Sequence, residues 1–268
     1  MTETKRKGAK TRTAIPKEIL EQLNRGEIET ANLVEWLAID QRALLTTLLI
    51  QHYREKYLKP IIEQIDSLKK QTVNTINEAI GIGLLEQTTT HKDSDFLLTI
   101  AAHQSDVVRC WGAFTIGKNS SLNIKQKFQK LQAFAADKHF GVREISWLAV
   151  RHEIIQHLEE SLEILSVWTT HSDENIRRFA SEATRPRGVW CEHISQLKQN
   201  PELGLAVLEP LKSDPAKYVQ NSVGNWLNDA GKTQPEFVRT LCKRWENDSN
   251  TKETKYIIKK ALRTINKQ

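Results

Sequence analysis

A short helical heading returns four times along this chain, and the spacing of its returns constrains the fold more than any other feature. It reads Asp106-Val107-Val108-Arg109, then Val142-Arg143-Glu144, Ile176-Arg177-Arg178 and Tyr218-Val219-Gln220. Each opens a stretch whose apolar residues recur at three and four positions: Val142, Ile145 and Ala149; Ile176, Phe179 and Ala183; Val219, Val223, Trp226 and Leu227. That period places one apolar stripe on one helix face. The headings lie 34 residues apart (108 to 142, 142 to 176) and then 43 apart (176 to 219). The longer interval contains Arg185 to Pro201, with Pro186, Gly188 and Trp190, which reads as an inserted loop and a candidate functional element.

Periods of this size mark stacked helical repeats of the HEAT and armadillo kind. The expected fold is all-α: a right-handed α-solenoid of HEAT-like repeats with a concave basic groove. Residues 15–268 are expected to form one such domain, behind a basic, flexible N-terminal tail over 1–14 that carries Lys5, Arg6, Lys7, Lys10 and Arg12. Pro16 suits a first helical turn, Gly26 ends that helix and Asn32 caps the next. Pro60 is read as a break in the helical stretch 41–71, residues 87–93 as a surface loop and 201–212 as a helix. Lys and Arg outnumber Asp and Glu by 39 to 33, an excess that points to a polyanion only where the charges cluster. The cysteines (Cys110, Cys191, Cys242) are far apart and read as core or incidental thiols. The eight histidines show no metal-ligand spacing, so neither metal nor cofactor is expected. No apolar run approaches the ~18–20 residues of a membrane span. No signal-peptide core opens the sequence, so an intracellular protein is expected.

Three segments could carry chemistry. In the first, Glu144, Trp147 and Arg151 align beside the apolar stripe, with Arg143 adjoining. An ordinary exposed face with an internal ion pair is the plainer reading of that segment. The second runs from Asn175 to Trp190, with Arg177, Arg178, Arg185 and Arg187 within eleven residues and only Glu182 among them to oppose their charge. Guanidinium forks grip phosphate bidentately and an indole can lie against sugar or base. Trp190 is expected to pack the loop rather than to read a base. In the third, Tyr218, Ser222, Asn225 and Asp229 form a polar stripe on a helix that also spends positions on the poor helix formers Asn221 and Asn228.

In VREISW, RRFASEATRPRGVW and YVQNSVGNWLNDAGK the chain resembles the HEAT-like-repeat DNA glycosylases of bacterial alkylation repair, specifically the AlkC branch of the AlkC/AlkD superfamily. LNRGEIETANLVEWLAID resembles the same family, and the likeness runs from about Asn24 to about Trp245. The resemblance implies excision of alkylated bases, of 3-methyladenine or 7-methylguanine type, from double-stranded DNA, with the catalytic carboxylates falling on Glu144 and Asp229. No counterpart of the immunoglobulin-like domain of some AlkC proteins is expected. Arg143, Trp147, Arg177, Arg178, Glu182, Arg185, Arg187, Trp190 and Asn225 are the expected DNA-binding set. A monomer in the bacterial cytoplasm is expected, with no membrane partner. The alternative is a HEAT-like protein that holds bent or branched DNA without catalysis. A protein-binding scaffold, the usual role of such repeats, is disfavoured by the arginine cluster.

Overall fold

The computed structural model describes residues 6–267. Among them the regular elements are all helical. The α-helices are α1 (Lys17–Asn24), α2 (Leu33–Trp36), α3 (Gln41–Gln51), α4 (Leu58–Asp66), α5 (Val73–Thr90), α6 (Ser94–Ala101), α7 (Asp106–Gly117) and α8 (Ile124–Ala135). They continue with α9 (Phe140–Gln156), α10 (Leu158–Trp168), α11 (Glu174–Ala183), α12 (Ser195–Gln199), α13 (Leu205–Leu208), α14 (Lys217–Ala230), α15 (Pro235–Asp248) and α16 (Lys252–Ala261). No helix of the described residues is long and apolar enough to cross a membrane.

The chain divides into two compact units. The first comprises the chain through Ser121 together with Lys138–Ala149; the second comprises Leu122–Asp137 and Val150 onward. Helix α9 contributes its opening turns to the first unit and the rest to the second.

In the first unit α7 packs on α5 and α6. Trp111 is wholly buried there and donates its indole N–H to Asn77 Oδ1 at 2.9 Å. Gly26 closes α1 in the left-handed region (φ 71°), and Asn32 Oδ1 caps α2 by accepting Glu35 N–H. Part of the expected N-terminal tail is tied down: Arg6 forks onto Glu35 at 2.7 and 2.6 Å, and Ala9 O accepts from Asn32 Nδ2. Lys5 lies outside the described residues.

In the second unit α11 packs on α14 and α14 on α16. Phe128, Trp168 and Phe179 form an aromatic cluster with ring centroids 5.1–6.2 Å apart. The stripes read from the sequence are core: Ile176, Phe179, Ala183, Val219, Val223, Trp226 and Leu227 are buried here, as are Val142, Ile145 and Ala149 in the first unit.

Three of the four headings share a physical device. Arg109 Nη1 donates to the carbonyls of His103 and Gln104, Arg177 Nη1 to those of His171 and Ser172, and Gln220 Nε2 to those of Asp214 and Pro215. The residue six before each, His103, His171 or Asp214, accepts a backbone N–H two residues on, at 3.0, 3.0 and 2.8 Å. The heading side chain therefore satisfies carbonyls that the turn leaves without helical partners.

Three local expectations are corrected. Residues 87–90 finish α5 rather than opening a loop, because Thr88 and Thr89 satisfy their hydroxyls on the carbonyls of Leu84 and Leu85, one turn back. Pro60 lies in the first turn of α4 and breaks nothing, since an N–H there lacks a helical acceptor anyway. The stretch 201–212 is a 3₁₀ turn, the short α13 and a second 3₁₀ turn at Glu209–Leu211, with Pro201 and Pro210 early in the two 3₁₀ pieces.

Candidate nucleic-acid interface

In the second unit, α11 and α14 bring the arginine cluster and the polar stripe together. Arg178 lies over the Tyr218 ring, 4.5 Å from its centroid, with its Nη2 3.5 Å from Glu182 Oε2. Glu182 accepts from Arg185 Nη1 and from Ser222 Oγ, each at 2.7 Å. Arg185 donates Nε and Nη2 to Asp229 Oδ2 at 2.9 and 2.7 Å, and Lys232 Nζ donates to Asp229 Oδ1 at 3.0 Å. The result is a row of alternating charge, Arg178, Glu182, Arg185, Asp229, Lys232, in which both acids are buried, Glu182 at 6% and Asp229 at 3% exposure.

Burial pushes the Glu182 carboxyl up, but Arg178, Arg185 and the Ser222 hydroxyl more than offset it, so its pKa lies below the usual glutamate value. Burial likewise disfavours the Arg185 cation, and Glu182 and Asp229 restore it. Glu182 therefore holds the two arginines in place, and Arg185 in turn fixes Asp229.

Beyond Arg185 the chain leaves the helix as a braced loop. The buried Arg151 guanidinium donates to the carbonyls of Ala183, Arg185 and Glu192, clamping both arms. Ile194 N–H bonds Pro186 O at 3.1 Å. At Gly188 the loop closes so tightly that a Cβ would stand 2.3 Å from Cys191 Sγ. Arg187 is half-buried, and its Nε is buried without a hydrogen-bond partner. The loop ends by presenting Val189 and Trp190 to solvent, 55% and 74% exposed. Trp190 has a φ of 61°. The expectation that Trp190 packs the loop is thus overturned: the bracing comes from Arg151, and the indole points away from it.

The remaining second-unit candidates divide by what they touch. Arg177 forks onto Asp214 at 2.6 and 3.1 Å besides holding its two turn carbonyls, so it is a structural residue with little left for phosphate. Asn225 Oδ1 accepts from Arg263 Nη1, Asn228 Oδ1 from Arg263 Nε, and Asn221 Oδ1 from Tyr256 and Lys260. The asparagines of α14 thus tie it to α16 and to the turn that follows it. The polar stripe is divided, with Ser222 and Asp229 serving the charged row and Asn225 serving Arg263.

In the first unit Trp147 is buried and donates Nε1–H to Glu144 Oε2 at 3.0 Å. The indole thus holds Glu144 from one turn along α9. Arg143 and Glu144 are half-buried. Three contributors escaped the sequence reading. Lys232 stands three residues after Asp229, a spacing that signals an ion pair. Val189 and the clamp by Arg151 had no sequence signal, because both depend on how the loop folds back.

An all-α repeat fold with a buried acid held between cations, beside a loop that offers an aromatic and an arginine, defines a class of helical-repeat protein suited to a polyanion. Residues 148–265 match the profile of a family described as DNA alkylation repair enzyme. That match takes in less than half of the chain, and the fold is that of helical-repeat proteins. The fold is similar to the alkylpurine DNA glycosylase AlkC of Pseudomonas fluorescens, solved bound to DNA containing an abasic site analog. That likeness has a TM-score of 0.67 and 23% identity, covering 93% of this chain and 65% of that one. It is also similar to AlkD2 from Streptococcus mutans, with a TM-score of 0.60 and 21% identity, covering 78% of this chain and 97% of that one. The uncharacterized protein YhaZ of Bacillus subtilis is 36% identical over 137 residues, which are 51% of this chain and 38% of that protein. The chain thus spans less than two thirds of the length of YhaZ and of AlkC.

Proposed function

We propose that the protein is a DNA glycosylase that releases cationic alkylated purines, of 3-methyladenine or 7-methylguanine type, from double-stranded DNA, acting as a monomer in the bacterial cytoplasm. The observation that carries this reading is the buried Asp229 carboxylate fixed by Arg185 and Lys232. A purine alkylated at N3 or N7 is already positive, so its glycosidic bond breaks without strong acid catalysis. The bonding pair leaves with the base and neutralises it, and positive charge develops on the sugar. Water then bonds to the anomeric carbon and gives up a proton. A preorganised carboxylate favours that cationic sugar more than the neutral ground state, which is the differential stabilisation catalysis requires. Lys232 is half-exposed at the end of the row, with its ammonium on Asp229 Oδ1. Glu144, which accepts from Trp147 within the first unit, is proposed to assist release. The match to the DNA alkylation repair enzyme family supports a repair activity on alkylated DNA.

One observation favours a second reading, a DNA-binding protein without catalysis: both Asp229 oxygens already carry cationic partners. The discriminating experiment is release of methylated base from methylated duplex by saturating enzyme. Release that depends on Asp229 supports the glycosylase, and tight duplex binding without release supports the alternative.

A further inference from the structure

A groove of about 870 Å³ lies within the second unit, on elements other than those that carry the charged row. One wall is the face of α10 on which Leu158, Leu162 and Ser166 follow one another a turn apart, so it runs for roughly 12 Å along the helix. The opposite wall takes Gln196 and Asn200 from α12 and its C-cap, then Leu203 and Ala206 from the 3₁₀ turn and α13. Leu158 and Leu162 are buried at its base, whereas Leu203 is 48% exposed.

The charge of this groove runs against that of the chain. Glu159, Glu160 and Glu163 line it and are exposed, and among the described residues none of the three has an ion-pair partner. The lining holds no lysine or arginine among the described residues, and its His157 lies 3.9 Å from Glu153. Over the whole chain Lys and Arg exceed Asp and Glu by 39 to 33. Glu159 and Glu160 stand in the first turn of α10, where the helix dipole favours acids, but Glu163 lies beyond it. Carboxylates repel phosphate, so this face is no extension of a DNA surface.

We infer that the groove docks a basic amphipathic helix of a partner protein. Its apolar side chains lie against Leu158, Leu162 and Leu203, and its lysines or arginines meet Glu159, Glu160 and Glu163. A groove running lengthwise between helical walls fits a helix laid along it, with anchors at three- and four-residue spacing. Unpaired carboxylates at the rim match cations and turn away acidic partners. The groove shares no residue with the row from Arg178 to Lys232, so the docking stands or falls apart from the glycosylase reading.

The probe is a fluorescein-labelled synthetic helix of leucine and lysine, with the leucines on one face, titrated with the full chain and read by anisotropy. A control peptide carries glutamate in place of lysine. The lysine peptide should bind and the glutamate peptide should not. Replacing the three acids together, Glu159→Gln, Glu160→Gln and Glu163→Gln, should weaken binding about tenfold, as for three lost exposed charge pairs. Leu203→Ser should weaken it about fivefold through lost apolar contact. These side chains are exposed, so the variants should fold, and far-ultraviolet circular dichroism checks this. Absence of binding by wild type, equal binding by the triple variant, or equal binding of the glutamate peptide overturns the proposal. Leu203→Ser without effect also overturns it, since the acids would then merely collect cations. Wild-type self-association in sedimentation velocity, abolished by the triple variant, would make a second copy of this chain the occupant and overturn the partner.

Discussion

Arg185 reaches Asp229 with two of its nitrogens on a single oxygen, Nε at 2.9 Å and Nη2 at 2.7 Å, while its third nitrogen holds Glu182. One side chain thus bridges two buried acids. Arg185→Ala should destabilise the second unit by about 3–5 kcal/mol, the usual consequence of leaving a buried charge without its partner. Chemical denaturation of the purified variant measures this. A loss below about 1 kcal/mol would mean that the row is solvated and weakly coupled.

Phosphate contact and structural support should separate among the arginines. Arg187→Ala should lower the slope of log affinity against log salt for any duplex by about one, as for one lost phosphate contact. Arg177→Ala should leave that slope alone and instead lower the thermal midpoint, since its fork holds Asp214. Salt titrations of the two variants side by side decide the assignment.

The two units should lose stability in different acid windows. Burial, with His52 and Arg109 nearby, lowers the His103 pKa to about 4, and its neutral Nδ1 accepts Ser105 N–H. A group whose folded pKa is depressed contributes stability that is present above its unfolded value and lost as pH falls through the folded one. For His103 that window runs from about 6.5 downward. The Glu182 pKa is also lowered, so its contribution is lost only below the ordinary glutamate value of about 4.3. His103→Asn should flatten the upper part of the acid limb, and Glu182→Gln the lower part while reducing stability at neutral pH. Thermal midpoints across pH 7 to 3 read both effects.

Trp190→Asn should stabilise the protein by up to about 1 kcal/mol, because asparagine tolerates the left-handed region that tryptophan does not. A lower midpoint in this variant would show that the indole packs in solution after all.

Much of the core was legible because a period near 3.6 is a geometric property of helices. Each predicted apolar stripe, from Val142 to Leu227, is buried. The ends of helices were less legible, since Thr88 and Thr89 carry loop-like side chains yet close their hydroxyls on their own helix. Charge density located the arginine cluster but could not divide it. Arg177 and Arg178 are neighbours in sequence, yet one holds Asp214, in the turn before α14, and the other Glu182, one turn on in α11, a difference set by the face of the helix each occupies. Trp190 was misjudged for the same kind of reason: its exposure is dictated by Arg151, on another helix.

The central claim is that Asp229 stabilises a cationic sugar, and single-turnover release of 3-methyladenine or 7-methylguanine from methylated duplex by saturating enzyme tests it most directly. Asp229→Asn preserves shape and an oxygen for Arg185, so with its fold verified it should bind DNA about as well as wild type. Its release rate should fall by roughly two orders of magnitude or more, as for loss of a principal electrostatic stabiliser. Glu144→Gln, measured in parallel, should also slow release. Release by a folded Asp229→Asn protein at the wild-type rate, or none by wild type while it binds duplex tightly, would contradict the account.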